Sequence, residues 1–451
     1  MSFENHAICA LATANGVGAI AVIRASGKNA IKLVNPLFSK DLTSQNSHTA
    51  HFGVLKDSNG KAIDEVLISI FKEGKSFTGE ESVEISCHGS VFIQQEILSV
   101  LTSNGFRLAE PGEFTKRAFM NGKLDLSQAE AVADLIASQS KRTHEIALKQ
   151  LRGTFSNQLK ELREKLIHFA SLIELELDFS EEDVEFADRT QLKVLVAEVL
   201  HIVHRLAQSF KLGNALKNGV PVAIVGAPNT GKSTLLNQLL GENRAIVSNI
   251  AGTTRDVIEE TLNIDGILFR LIDTAGIREG AEEIEAIGIE RSFEKIEQAS
   301  IVLCLADASN HPSISEVKHW RAELEQKYPD KKILLVANKI DLESCVNEEL
   351  SISAKNGIGI DGLKQKLVHL VVGSFDIQNE TIVSNARHYE ALIKTSEALE
   401  KVSFDLENGT TGDFIALDIR AAMRSLGNIT GEIEIDRDIL GTIFERFCIG
   451  K

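Results

Sequence analysis

Gly226-Ala-Pro-Asn-Thr-Gly231-Lys232-Ser233 lies between an apolar run, VPVAIV, and a helical stretch, STLLNQLLG. Strand, glycine-bearing loop and helix in that order make a cradle for phosphate. The glycines let backbone N–H groups turn inward, and the helix N-terminus adds its positive end. Lys232 would reach β- and γ-phosphate oxygens and Ser233 would ligate Mg²⁺, with Asn229, Thr230, Gly231 and Thr234 on the same turn. A glycine turn ahead of a helix also occurs without any ligand, so this motif alone leaves that ordinary reading open.

Three later motifs close it. Asp273-Thr274-Ala275-Gly276 follows ILFRLI, where Asp273 would hold the Mg²⁺ shell and the Gly276 N–H would meet the γ-phosphate. Asn338-Lys339-Ile340-Asp341 follows KILLVA. The Asp341 carboxylate can accept from the N1–H and 2-amino group of guanine, two donors that adenine lacks, and so selects GTP. Ser353-Ala354-Lys355 fits a backbone N–H contact to the guanine O6. The order and spacing are those of a small GTP-hydrolysing domain over residues 218–374. Between its first helix and second strand, Gly252-Thr253-Thr254 falls where a switch loop carries a Mg²⁺-binding threonine. Thr254 is the candidate, although a Thr-Thr pair is also common in turns. Ile277 stands where a water-orienting glutamine often follows, and an apolar side chain cannot orient water. The acidic stretch after it offers Glu282, Glu283 and Glu285, a choice that spacing leaves open.

The elements that must position these residues follow from periodicity. Short β-branched runs (VPVAIVG, ILFRLIDTAG, SIVLCLADAS, KILLVANKID) alternate with helical segments, the signature of a parallel sheet wound on both faces. On either side the pattern changes. SQAEAVADLIASQSKRTHEIALKQL, SNQLKELREKLIHFASLIELELDF and the region 385–424 carry apolar residues three and four apart and predict long amphipathic helices in a bundle. The first 120 residues, with GAIAVIRASG, DEVLISIF and SVEISCHGS as strands, predict a small mixed α/β domain.

Composition bounds the class. A 451-residue chain with 43% hydrophobic and 25% charged residues predicts several folded domains. No apolar run is long enough to span a membrane, and the first residues lack a signal-peptide pattern, so a cytoplasmic location is expected. Five scattered cysteines without a C-x-x-C pair suit a reducing compartment and support neither disulfides nor zinc. A net charge of −16 argues against a broadly basic face for nucleic acid.

GAPNTGKST, AGTTRD, DTAGIRE with IEAIGIERS, and NKID resemble the TrmE-Era-like GTPases. GAIAVIRASG, SVEISCHGS, the block PGEFTKRAFMNGKLDL and the terminal FCIGK extend the resemblance along nearly the whole chain to the bacterial tRNA modification GTPase family MnmE (TrmE). The resemblance implies an α/β and all-α multidomain protein. Residues 1–120 would form a folate-binding and dimerisation domain. Residues 121–217 and 375–451 would form two segments of a helical domain, with the Ras-like P-loop G domain at 218–374 inserted between them.

It also implies a homodimer that works with MnmG, a flavoprotein that would carry FAD and NADH, in a heterotetramer or larger complex. Together they would use 5-formyltetrahydrofolate to place an aminomethyl or carboxymethylaminomethyl group on C5 of the tRNA wobble uridine. By the same resemblance Asn229, Ser248, Ile250 and Thr253 would bind K⁺, and Ser248, Asn249, Ile250, Ala251, Gly252 and Thr253 would line the nucleotide. Glu285 would position water, and Cys448 would be required for modification. Arg24, Glu84, Lys123 and Lys451 would contact the folate, cations suiting its carboxylates and a glutamate its pterin donors. Ser248 departs from the family's usual threonine but keeps a hydroxyl. An alternative from another class is a regulatory or assembly GTPase that binds RNA or ribosome and does no modification chemistry; the G domain alone cannot separate the two.

Overall fold

The structure is a computed structural model that describes residues 6–178, 188–243, 260–272, 293–342, 350–373, 375–376 and 379–432. The chain groups into two compact units, one holding residues up to 133 with 150–168 and the stretch from 423, the other 134–149 with 169–422.

In the first unit, β1 (Ile8–Leu11), β2 (Ile20–Ser26), β3 (Thr49–Lys56), β4 (Ala62–Phe71), β5 (Ser82–His88) and β6 (Arg107–Leu108) form one sheet in the order β3-β4-β5-β2-β1-β6. All neighbours are antiparallel except β1 and β6. Period-2 alternation sends Ile23, Ala25, Ile68, Ile70, Val83 and Ile85 to one face. There they bury against α1 (Ala30–Val34) and α2 (Val91–Ser103), through Ile31, Val34, Ile97 and Leu101. Ile8 and Ala10 point the other way, onto Phe114 of α3 (Glu113–Met120). Arg24 and Glu84 lie directly opposite each other on β2 and β5.

Beyond α3 the chain is helical: α4 (Leu126–Ala137), α5 (Lys141–Leu151), α6 (Thr154–Asp178) and α7 (Arg189–Asn218). Asp125 and Gln128 open α4 with a reciprocal cap: Gln128 N–H donates to Asp125 Oδ1 and Asp125 N–H to Gln128 Oε1. The stretch SQAEAVADLIASQSKRTHEIALKQL forms two helices, α4 and α5. The Ser138 hydroxyl donates to the Leu135 carbonyl, and Ser140 Oγ accepts from the Thr143 N–H to start α5. Serines here offer the backbone a local alternative to continued helix.

The second sheet is β11-β10-β7-β9-β8, built from β7 (Val220–Val225), β8 (Glu260–Ile264), β9 (Ile267–Leu271), β10 (Ile301–Asp307) and β11 (Lys332–Asn338). It is parallel throughout except at β8, the antiparallel edge. α8 (Lys232–Asn243) and α10 (Ile360–Val372) cover one face through Leu235, Leu236, Leu239, Leu363 and Leu367. α9 (His311–Lys327) covers the other through Ile314, Val317 and Leu324. A mostly parallel sheet buried on both faces reads as near-continuous apolar strands, as β7, β10 and β11 do.

The second unit continues with α11 (Ala386–Asn408) and α12 (Gly412–Thr430), the latter running into residues grouped with the first. Val383 N–H donates to Ser209 Oγ of α7, and a Cβ at Gly213 would lie 2.0 Å from the Val383 carbonyl. Chain entering the sheet domain through α7 and chain leaving it at 382–383 therefore run side by side, as an inserted domain requires.

Candidate functional site

The phosphate loop is shaped by three left-handed residues: Gly226 (φ 152), Asn229 (φ 60) and Gly231 (φ 95). Asn is among the few side chains that tolerate this region. A Cβ at Gly226 would lie 2.5 Å from the Leu305 carbonyl, and one at Gly231 only 2.2 Å from Asn338 Nδ2, so both positions require glycine. Lys232 folds back over the loop and donates to the Gly226 carbonyl at 2.9 Å and the Ala227 carbonyl at 2.8 Å. An ammonium has three donors, which leaves one for an anionic oxygen. Burial, reinforced by Lys295, holds Lys232 below the usual lysine range, so an arriving anion meets a cation made more avid by poor solvation. Ser233 and Thr234 follow in the exposed first turn of α8, while Thr230 is buried and donates its hydroxyl to the Ala227 carbonyl.

Asn338 joins this loop to the second motif. Its Nδ2 donates to the Thr230 carbonyl at 2.8 Å, and its Oδ1 accepts from the Ala354 N–H at 2.9 Å. The side chain is 2% exposed. One amide therefore fixes the distance between the loop that would hold phosphate and the loop that would hold the base. Asp341 accepts from the Ser353 hydroxyl at 2.6 Å. Ser353 is itself pinned by paired backbone hydrogen bonds with Ile358. Ile340 N–H donates to the Ile352 carbonyl, so NKID and the Ser353-Ala354-Lys355 turn form one ledge, with Asp341 and Lys355 exposed on it. Lys339, left-handed at φ 68, sends its ammonium 2.6 Å to Asp307 Oδ2.

Asp307 belongs to none of the sequence motifs. It ends β10 beside Asn338 in register, at the carboxyl edge of the sheet where doubly wound folds bind ligands. That position was the available signal. Burial opposes its charge, but hydrogen bonds from Lys339 and Ser309 hold its carboxyl below the usual range. Ser248, Asn249, Ile250, Ala251, Gly252, Thr253, Thr254, Asp273, Thr274, Ala275, Gly276 and Glu285 lie outside the described residues, as do Cys448 and Lys451.

In the first unit, Arg24 Nε donates to Glu84 Oε1 at 2.9 Å, with a second contact from the same guanidinium at 2.8 Å. The guanidinium also lies 5.5 Å from the Phe77 ring centroid and 5.7 Å from that of Phe114. Phe77 belongs to the 74–79 turn, and the Lys123 ammonium donates to the Gly74 carbonyl of that turn. Arg24, Glu84 and Lys123 are thus gathered around one loop. Beneath it lies a buried network: Arg117 donates to Glu80, Glu113 and the His6 carbonyl, Arg107 donates to Glu113, and Ser26 links Thr78, Glu80 and Ser82. Burial pushes the Cys9 thiol up to about 12 and, with Asp64, the Cys87 thiol to about 11, so both are held in the protonated form.

Among the described residues no cluster of three or more His, Cys, Asp or Glu could hold a metal, and no helix is long and apolar enough to cross a membrane.

Two family models match, together spanning nearly the whole chain. Residues 7–123 match the GTP-binding protein TrmE N-terminus, and residues 126–448 match the MnmE helical domain. A tRNA modification GTPase MnmE from Flavobacterium johnsoniae is 53% identical over 470 residues, covering 99% of this chain and 100% of the relative. Proteins of the same name from Cytophaga hutchinsonii and Bacteroides thetaiotaomicron are 52% and 50% identical, each match covering at least 98% of both chains.

Proposed function

The chain belongs to the family of tRNA modification GTPases MnmE, and from that premise we propose that it is a K⁺-stimulated GTP hydrolase that drives a folate-dependent modification of the tRNA wobble uridine. The modification adds an aminomethyl or carboxymethylaminomethyl group at C5, in a homodimer working with the MnmG flavoprotein. The observation that carries the GTPase reading is the Asn338 bridge, which sets phosphate loop and guanine ledge at a fixed spacing by hydrogen bonds of 2.8 and 2.9 Å.

Binding rests on this chain's own groups. Lys232 and the N-terminus of α8 receive the phosphates, and the Asp341 carboxylate accepts from the guanine N1–H and 2-amino group. The Ala354 and Lys355 backbone, on the same ledge, serves the guanine O6. The donor chemistry fits the implied cations: Ser233 offers a hydroxyl at the loop's end for Mg²⁺, and exposed Asn229, held left-handed, offers an amide oxygen for K⁺. When bound, the two cations supply positive charge that offsets the charge developing on the transferred phosphoryl group. By the family resemblance Thr254 would join Ser233 on Mg²⁺, Ser248, Ile250 and Thr253 would join Asn229 on K⁺, and Glu285 would orient water in place of the absent glutamine. In the N-terminal domain, Arg24 and Lys123 would meet the folate carboxylates and Glu84 its pterin donors, and the resemblance assigns Lys451 to the folate and Cys448 to the modification.

GTP turnover of the purified chain in KCl against NaCl at equal ionic strength tests the reading. Faster turnover in KCl is expected. Equal rates would leave a GTPase but remove Asn229 as a K⁺ ligand.

A further inference from the structure

The hairpin of β8 and β9 is bracketed in sequence by Gly252–Asp256 and Asp273–Gly276, the two segments that the functional reading makes nucleotide-responsive. Its turn is Asp265-Gly266, both left-handed at φ 50 and φ 78, the two-residue form that suits a tight hairpin. Such a turn presents backbone carbonyls outward, and one residue takes both of them. Arg142, in the first turn of α5, donates from Nε to the Asp265 carbonyl at 2.7 Å, and its own N–H faces the Gly266 carbonyl at 3.4 Å. A Cβ at Gly266 would lie 3.1 Å from Arg142 Cγ and 3.3 Å from Lys141 Cβ, so helix and turn are in close contact.

α5 has a second anchor. Ile146, four residues on and therefore on the same helix face, is 6% exposed and packs in the core with Leu262, Ile264 and Phe269 of the hairpin and Leu235 of α8. Thr143 donates to the Leu216 carbonyl of α7, and Asp134, just ahead, pairs with Lys217 at 2.7 Å. The stretch 134–149 is accordingly grouped with 169–422, the unit that holds the nucleotide sheet, and apart from 126–133 and 150–168 on either side of it in sequence.

We propose that Arg142 is a positioning residue that ties the hairpin turn to α5, so that nucleotide-driven displacement of β8–β9 is carried into the helical part of the chain. The link reads backbone carbonyls and needs the close approach that Gly266 allows. It rests on the GTP-binding reading of the preceding subsection.

Amide hydrogen exchange on the full-length chain, with and without a non-hydrolysable GTP analogue and Mg²⁺, tests it. In the wild type, nucleotide should alter exchange in both 260–271 and 141–151. In Arg142→Ala, and independently in Gly266→Ala, whose added methyl wedges the contact, the change in 141–151 should shrink about fivefold or more. The change in 260–271 and the nucleotide affinity should persist within about twofold, and Arg142→Lys should restore the response. A merely structural contact would lower thermal stability without separating the two segments. An undiminished response in 141–151 in both variants overturns the proposal, as does its absence in nucleotide-bound wild type. Failure of the wild type to bind the analogue would instead strike the GTP reading, and the coupling with it.

Discussion

The Lys339 ammonium lies 2.6 Å from Asp307, across two parallel strands whose ends are in register. The lysine of the guanine motif is thereby held by a carboxylate from the neighbouring strand, in a left-handed backbone that its own residue type does not favour. Asp307→Asn keeps an acceptor but removes the charge. Losing a charge-assisted hydrogen bond costs about 1.5 kcal/mol, so KM for GTP should rise roughly tenfold. Steady-state kinetics should show kcat little changed, because Asp307 positions a binding group and touches no reacting atom. An unchanged KM would remove Asp307 from the site.

Gly231 and Asn338 make a second prediction. With its Cβ 2.2 Å from Asn338 Nδ2, Gly231→Ala must displace the amide that bonds Thr230 and Ala354. A buried polar group left without partners costs about 1–3 kcal/mol, and a left-handed alanine adds to that. Thermal melting should fall by several degrees, and binding of a fluorescent GTP analogue should be lost. Retained affinity would show that the loop does not need the bridge.

Much of the nucleotide domain was legible because its chemistry is local in sequence. The phosphate loop and NKID each sit directly after an apolar strand, and strand-then-loop order places them at one sheet edge, where a single bridge from Ser351 to Ala337 brings in the Ser353 turn. What stayed hidden depends on register between distant segments. Asp307 meets Lys339 only because β10 pairs with β11, and Arg24 meets Glu84 only because β2 pairs with β5. The resemblance named Arg24 and Glu84 as ligands of one site, but their mutual ion pair needed the sheet. The break between α4 and α5 was hidden for another reason: it falls in the wholly polar run 138–145, where apolar periodicity gives no signal, and the Ser138 and Ser140 hydroxyls there bond the backbone locally.

Acid sensitivity follows from Glu113. Burial opposes its charge, but Arg107, the Glu110 N–H and Arg117 together hold its carboxyl below the usual range. A carboxylate with a depressed folded pKa contributes stability that is full above its unfolded value, about 4.3, and is lost as pH falls through the lower folded value. Urea unfolding of wild type and Glu113→Gln should therefore differ most at neutral pH, with the wild type more stable. The gap should narrow below about pH 4.3. A gap independent of pH would mean that Glu113 acts through packing alone.

Glu84 separates a structural ion pair from a ligand site. It pairs with Arg24 at 2.8 Å on a partly exposed sheet face, where a cross-strand pair contributes about 0.2–1 kcal/mol, so Glu84→Ala should melt within a few degrees of wild type. If the carboxylate also accepts from the pterin amino and ring N–H groups, the same substitution removes charge-assisted hydrogen bonds. The affinity for 5-formyltetrahydrofolate should then fall roughly tenfold or more. Arg24 would remain against Phe77 and Phe114, free of its carboxylate but still a cation facing the ligand. Fluorescence titration of the reduced folate into both proteins decides: unchanged affinity assigns Glu84 to the sheet alone, whereas lost affinity with retained folding makes it a ligand of the folate.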